Sequence, residues 1–512
     1  MLSFKISSLL FYLMGFWGAY FLSKTITKTI ILRLVFSLSF VFSGMHLVKH
    51  VSGMQWSLGA MCLPFLIWSI IGVLDSPEKK YYPIIGAICI LLMVLQGSMY
   101  YLVYAALTIF VICIFNYKKI LKPLVAINLS CFFFLAISIS SIKLLPTIAV
   151  LANSNRTVNS SGDGMTIGGL LYGLTAPDQT AQFFDKISHL KLFFLYGFYW
   201  GFDENGYYIS ILGFVLVLFG IFGKKRSNCK ILKHSVLVFL LIFSIYMAAG
   251  VCFGSFNFFS ITSDLPIFSS MRVASRAMII ATFVFPFFIV LGIKNISNMF
   301  REKYKKIAVS TFSILQISFL IIFAWFNTNN VYSIETPKIE PFEKISRVSI
   351  ETHTAVEAIS KGFASGYLIY TAGMDSTPYL LNQEDYPGEL FFLKSKRKAS
   401  FKEWTPNVIK ITIEKNSDNK ELEKTEELIV NQTYRAAWHV QDVRGNKLKT
   451  RRTEDRGLLL IEVPSGVEEV HLEYVPKYAL HGLILFIIGI VFAFLWVMLI
   501  HSKCRNLFML KK

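Results

Sequence analysis

Acid is what this chain of 512 residues has least of over most of its length. Of its 32 Asp and Glu, 23 lie within residues 327–477, where 21 Lys and Arg nearly balance them. The rest of the chain holds nine acidic residues against 30 basic ones. Few carboxylates are therefore available there for acid–base chemistry. Cysteine is equally sparing: the seven lie in or beside apolar runs or basic loops, and none falls within 327–477. No disulfide framework is implied for that stretch. No CxxC or His-rich cluster suggests a metal, and no cofactor is implied. No Walker loop, GxSxG, HExxH or dinucleotide fingerprint stands in a supporting context, which removes the familiar soluble-enzyme chemistries.

What is present is apolar. Hydrophobic residues make up 54% of the chain, and Phe alone contributes 47. Uncharged runs long enough to cross ~30 Å of hydrocarbon recur, most clearly at 123–142, 206–222, 235–253, 277–293, 307–326 and 482–500. Earlier apolar runs cover 6–23, 30–48 (with Arg33 near its start) and 56–74. The first lacks a small-residue cleavage site, so a removed signal peptide is not expected. From Tyr81 to Tyr117 there is no charge at all. As one helix that stretch would be ~55 Å long, so Gln96-Gly97-Ser98 is expected to break it into two spans.

The predicted fold is a polytopic α-helical membrane protein of about 11 spans, with a mainly β, sandwich-like domain before the last helix. Residues 1–326 form the multi-span domain, with a long outer loop at 151–205 anchored by Tyr196, Phe198, Tyr199 and Trp200. Residues 327–477 form the extracytoplasmic β-sandwich or α/β domain, and 478–512 the final span and a basic cytoplasmic tail. Alternation at 408–413, 458–463 and 470–475 predicts strands, with turns at 444–446 and 464–466. Residues 421–428 read as a helix or a charged loop.

The net charge of +19 does not imply nucleic acid, because most of the excess falls in short loops such as Lys224-Lys225-Arg226, the positive-inside signature. That rule puts 22 of the 30 basic residues on the cytoplasmic side and eight outside: Lys5, Lys49, Lys143, Arg156, Lys186, Lys191, Arg272 and Arg276. It also puts the N-terminus outside, five residues before its first span, which suggests that upstream helices are absent from this chain.

Arg272 and Arg276 stand four apart at the mouth of an apolar run. On one helical face they repel by ~0.2–0.5 kcal/mol unless an anion lies between them. With Arg156 they make a candidate phosphate site, since guanidinium donates to phosphate oxygens in a planar fork. The alternative is that they snorkel to lipid headgroups. A base for an acceptor hydroxyl must be an outer carboxylate or His. Asp178, Asp203 and Glu204 are the candidates for a catalytic role, among an outer set completed by Asp163, Asp185, Asp264 and His189.

Four ordered stretches resemble the YfhO family of bacterial membrane proteins, within the GT-C superfamily of glycosyltransferases. They are Phe40-Val41-Phe42-Ser43-Gly44 through Leu63-Pro64; Ile142-Lys143-Leu144-Leu145-Pro146-Thr147 with Ser154-Asn155-Arg156; Leu265-Pro266-Ile267-Phe268 with Met271-Arg272-Val273-Ala274-Ser275-Arg276; and a terminal module from Tyr434-Arg435-Ala436-Ala437-Trp438 through Val463-Pro464-Ser465-Gly466 to Leu472-Glu473-Tyr474-Val475-Pro476. The family commonly has Pro where this chain has Ala274. The resemblance implies sugar transfer from a polyprenyl-phosphate donor to a cell-envelope glycan or polymer, on the outer face of a bacterial cytoplasmic membrane. The chain departs from the superfamily in lacking the N-terminal helix and acidic first outer loop. That departure keeps a second reading open, a non-catalytic scaffold or envelope-glycan-binding partner. A transporter is a third, supported only by the Gln96-Gly97-Ser98 break.

Overall fold

The computed structural model describes residues 2–52, 54–152, 166–179, 202–224, 229–250, 273–332, 387–395, 397–405, 407–414 and 425–509. They divide into two compact units, one helical and one holding the described β-strands.

In the helical unit the first apolar run forms α1 (Leu2–Ser23). The second is not continuous: α2 (Ile30–Val41) and α3 (Gly44–Val51) meet at a bend of 41°. Backbone contact explains the bend. The Gly44 N–H donates to the Tyr208 carbonyl at 3.0 Å, and a Cβ on Gly44 would stand 2.4 Å from the Tyr208 nitrogen. The third run opens as a 3-10 helix (Gln55–Cys62) and continues as α4 (Leu63–Asp75), with Pro64 in its first turn, where a missing N–H costs nothing.

The uncharged stretch breaks where Gln96-Gly97-Ser98 predicts, into α5 (Tyr81–Leu95) and α6 (Met99–Phe115). Gly97 takes a left-handed φ of 78°. Its neighbours tie this joint to the first residues of the 3-10 helix: Gln96 Nε2 donates to the Gln55 carbonyl at 2.9 Å, and Ser98 Oγ donates to that of Trp56. Short α7 (Tyr117–Ile120) leads into α8 (Pro123–Ala152). Two helices, α9 (Ile167–Thr175) and α10 (Phe202–Asn205), belong to the long loop. Its expected anchors Tyr196, Phe198, Tyr199 and Trp200 lie outside the described residues.

Residues 206–210 depart from expectation. Read as the start of a span, they instead run extended and buried, and α11 (Ile211–Phe222) begins only after them. Buried backbone must find partners, and several come from nearby elements. The N–H groups of Tyr207 and Ile209 donate to the carbonyls of Gly173 (3.0 Å) and Leu174 (2.9 Å). Gln316 Nε2 donates to the Ile209 carbonyl at 3.0 Å, and Ser210 Oγ donates to Gln316 Oε1 at 2.9 Å. Hydrophobicity does not distinguish this segment from a helix; its partners do.

The remaining helices are α12 (His234–Ala249), α13 (Met278–Ser297), α14 (Glu302–Tyr332) and α15 (Ala479–Met509). Almost wholly buried, α13 is the hub on which α2, α11, α12 and α14 pack. Two glycines let α11 and α13 approach to backbone contact. A Cβ at Gly220 would lie 2.1 Å from the Phe288 carbonyl oxygen, and one at Gly292 would lie 2.0 Å from that of Leu216. Such small-residue seams are how helices associate where lipid removes the hydrophobic drive. Among the described residues six helices are long and apolar enough to cross a membrane, seven if the bent pair is one span. Four shorter apolar helices, α5, α6, α11 and α12, accompany them. With the exposed apolar flanks of α1, α14 and α15, these make the chain a membrane-embedded protein.

Among the described residues the second unit contains two four-stranded antiparallel sheets. Leu390–Phe392 (β1), Thr425–Thr433 (β4), Leu458–Pro464 (β7) and Lys449–Arg452 (β6) form one, in the order β1-β4-β7-β6. The other comprises Ala399–Trp404 (β2), Val408–Ile413 (β3), Glu469–Tyr474 (β8) and Trp438–Asp442 (β5), in the order β2-β3-β8-β5. Alternate residues Ile409, Ile411, Ile413, Val470 and Leu472 bury against Leu428, Val430, Leu459, Ile461 and Val463, a shared sandwich core. The strands foreseen near 408, 458 and 470 are present within a residue or so. Of the stretch 421–428, read as a helix or a charged loop, residues 421–424 lie outside the described residues, and 425–428 open β4, paired with β7 along Thr425↔Pro464 to Leu428↔Ile461. Cross-strand burial of Leu428 outweighs the helical charge pattern.

Candidate functional site

Five elements converge at the N-terminal end of α13. Arg276 sits in a 3-10 turn (Ala274–Ala277) just before that helix, rather than on an α-helical face as its spacing with Arg272 suggested. The residue is only 7% exposed, so it does not snorkel to headgroups. Its Nε donates to both carboxylate oxygens of Glu204, at 3.1 and 3.0 Å, and an Nη donates to Oε1. The same carboxylate accepts from Lys49 Nζ, near the end of α3. Glu204 comes from α10, the turn that leads into the buried extended segment.

Rings close over this ion cluster. The Arg276 guanidinium lies 4.5 Å from the ring of Trp56, in the 3-10 helix, and 4.5 Å from that of Tyr100, at the start of α6. Lys49 Nζ stands 5.9 Å from Trp56 as well. The Tyr207 hydroxyl donates toward the carbonyls of Glu204 (2.9 Å) and Ser275 (3.0 Å), tying α10 to the turn that carries Arg276. Ser275 Oγ donates to the Glu204 carbonyl at 3.2 Å. Every one of these bonds ties two separate elements together.

Charges taken out of water each cost several kcal/mol even after relaxation. The cluster is tolerable because the carboxylate is fully engaged and the guanidinium is paired and stacked. Burial by itself would raise the Glu204 carboxyl. The Lys49 ammonium and the Arg276 guanidinium outweigh that and hold it at about 2. Both Glu204 oxygens are thus engaged by cations, an arrangement that favours the ionised carboxylate.

Around the ions lie polar groups with no partner among the described residues. They are the hydroxyls of Tyr101 and Tyr104, one turn along α6, and both ring nitrogens of His46, one turn before Lys49. Tyr101 and Tyr104 are close enough to feel the charges of Glu204 and Arg276.

The sequence-derived candidates thus fare differently. Arg276 and Glu204, chosen for separate roles as phosphate binder and acid, bond to each other. Asp203 lies beside Glu204 in α10. Asp178 sits half-buried elsewhere, in a segment pinned to α14: Asn327 Nδ2 donates to the Pro177 carbonyl at 3.1 Å and Asn327 Oδ1 accepts from the Gln179 N–H at 3.2 Å. Arg156 and Arg272 lie outside the described residues. Lys49 is one of the eight outer cations of the sequence but has no assigned role there. Its position among apolar residues at the end of a span is the signal that could have singled it out. Trp56, Tyr100, Tyr101 and Tyr104 carry no such signal, because aromatic residues are common throughout the chain. Among the described residues no three His, Cys, Asp or Glu side chains gather as metal ligands. No family model, curated protein or solved structure matches this chain.

Proposed function

We propose that the chain is a GT-C-like glycosyltransferase that moves a sugar from a polyprenyl-phosphate donor to a cell-envelope acceptor. In this reading it has about 11 spans, and the β-sandwich and the Arg276 end of the bundle face the non-cytoplasmic side of a bacterial cytoplasmic membrane. The observation that carries it is the buried Lys49–Glu204–Arg276 cluster at one end of an apolar bundle, since ionisable groups buried in membrane proteins are by default functional. The ordered sequence motifs support it independently. In the transfer, the acceptor hydroxyl oxygen bonds to the anomeric carbon as that carbon's bond to the phosphate oxygen breaks. Polyprenyl phosphate leaves with the bonding pair, and the hydroxyl proton passes to a carboxylate, for which Asp178 and Asp203 are the candidates. Lys49 and Arg276 stabilise the phosphate as it gains negative charge.

Arg276→Ala at wild-type membrane abundance should abolish envelope glycosylation in cells; unchanged glycosylation refutes the reading. Reporter fusions after residue 478 and within 440–446 test the topology, and a cytosolic sandwich would put the cluster in the wrong compartment. The second reading, a non-catalytic envelope-binding scaffold, draws on the engagement of Glu204 by two cations. It expects the full-length chain to retain envelope polymer while transferring no sugar.

A further inference from the structure

Glu204 was chosen from the sequence as an acid, yet its surroundings suit a different task. All its carboxylate bonds run to Lys49 and Arg276. The Arg276 fork reaches Glu204 through Nε and one Nη, and the other Nη donates to no described residue. Trp56 and Tyr100 fix the guanidinium plane. An arginine held by one edge and stacked on aromatic rings presents its remaining N–H donors in one direction. In the same cluster, Tyr101 and Tyr104 offer buried hydroxyls without hydrogen-bond partners among the described residues, 1% and 0% exposed.

We infer that Glu204 is a positioning residue which, with Trp56 and Tyr100, aims Arg276 at an oxyanion site completed by the hydroxyls of Tyr101 and Tyr104. The inference rests on the proposed function for its ligand, the phosphate of a polyprenyl-phosphate donor. It assigns Glu204 no proton transfer. Planar guanidinium donors suit tetrahedral oxyanions, and tyrosine hydroxyls donate without adding charge. Burial of the cluster raises the strength of each such bond above its value in water.

The test uses full-length protein in nanodiscs of neutral lipid, with polyprenyl phosphate, polyprenol and inorganic phosphate as probes. Wild-type protein should bind polyprenyl phosphate and not polyprenol, with inorganic phosphate competing. If polyprenyl phosphate does not bind, the proposed function fails first; if inorganic phosphate alone binds, the site takes an oxyanion and not a lipid. Given wild-type binding, Glu204→Gln should weaken donor affinity and raise KM roughly 10- to 100-fold, the effect of losing a charge-assisted bond. It should leave the acid limb of the pH profile in place, with any fall in kcat accompanied by the rise in KM, and Glu204→Asp should recover part of the affinity. The groups facing Glu204 that could shape that profile are Lys49 on α3, Arg276 and, as weaker influences, Tyr101, Tyr104 and Tyr207. Unchanged KM with kcat down ~100-fold or more, the signature of a lost general base, overturns the inference. Where Glu204→Gln does not accumulate, Trp56→Leu and Tyr100→Leu keep the ion pairs and should weaken donor binding several-fold; wild-type affinity in both overturns it.

Discussion

Neutralising Glu204 is the sharpest test of how the ion cluster contributes to the fold. In Glu204→Gln, two cations that shared one carboxylate face each other in an apolar setting, and removing one partner of a buried pair costs about 3–5 kcal/mol. The pH dependence of the same interactions gives a magnitude of similar order. The folded carboxyl lies at about 2 against an ordinary 4.5, and at 1.36 kcal/mol per unit the difference is worth about 3 kcal/mol. Its sign follows from the direction of the shift. A depressed folded-state value gives stability that is complete above 4.5 and is lost as the pH falls through about 2. The difference in stability between wild type and Glu204→Gln should therefore be flat at neutral pH and shrink across that window. The assay is unfolding of full-length protein in nanodiscs, followed by helical circular dichroism. A cycle with Arg276→Met isolates the pair: each single change should be costly, and the double should fall short of their sum by roughly 1–3 kcal/mol. Additivity within about 0.5 kcal/mol, or a pH-independent difference between the proteins, refutes the account of the cluster.

Other outcomes follow from the packing. Gly220→Ala and Gly292→Ala should each destabilise the bundle by about 1–3 kcal/mol, because the added methyl meets the backbone of Phe288 or Leu216 rather than a side chain that can turn away; a melting temperature equal to wild type contradicts the seam. Gln316→Leu should cost about 1–3 kcal/mol by stranding the Ile209 carbonyl and the Ser210 hydroxyl, measured by the same unfolding transition, and a neutral effect would mean that 206–210 is not held this way. Ile461→Ala, fully buried between the sheets, should cost the β unit about 2–5 kcal/mol, read from the strand signal in urea. Gly445→Ala should cost about 1–2 kcal/mol from backbone strain alone, since Gly445 has φ 82° and no atom within 4 Å of its Cβ position.

Periodicity is a local property, and whatever it governs was legible in the chain. Uncharged length marked the helices, the Gln96-Gly97-Ser98 interruption marked the joint between α5 and α6, and period-two alternation marked β3, β7 and β8. Each depends on residues close in sequence meeting one solvent or one partner face. The failures came where a distant group decides. Residues 206–210 are as apolar as a span, and only Gly173, Leu174 and Gln316 make an extended path satisfiable. The charge pattern ahead of Leu428 admits a helix until β7 provides a ladder.

The site divides along the same line. Arg276 and Glu204 could be picked out one at a time, as rare charges beside apolar runs. That they bind each other, across 72 residues, and share the carboxylate with Lys49, 155 residues away, follows from no local pattern. An ion's role is set by its nearest opposite charge and by the water it has lost. Composition reveals the charge; only the packing of α3, α6, α10 and the turn before α13 determines its partner and its hydration.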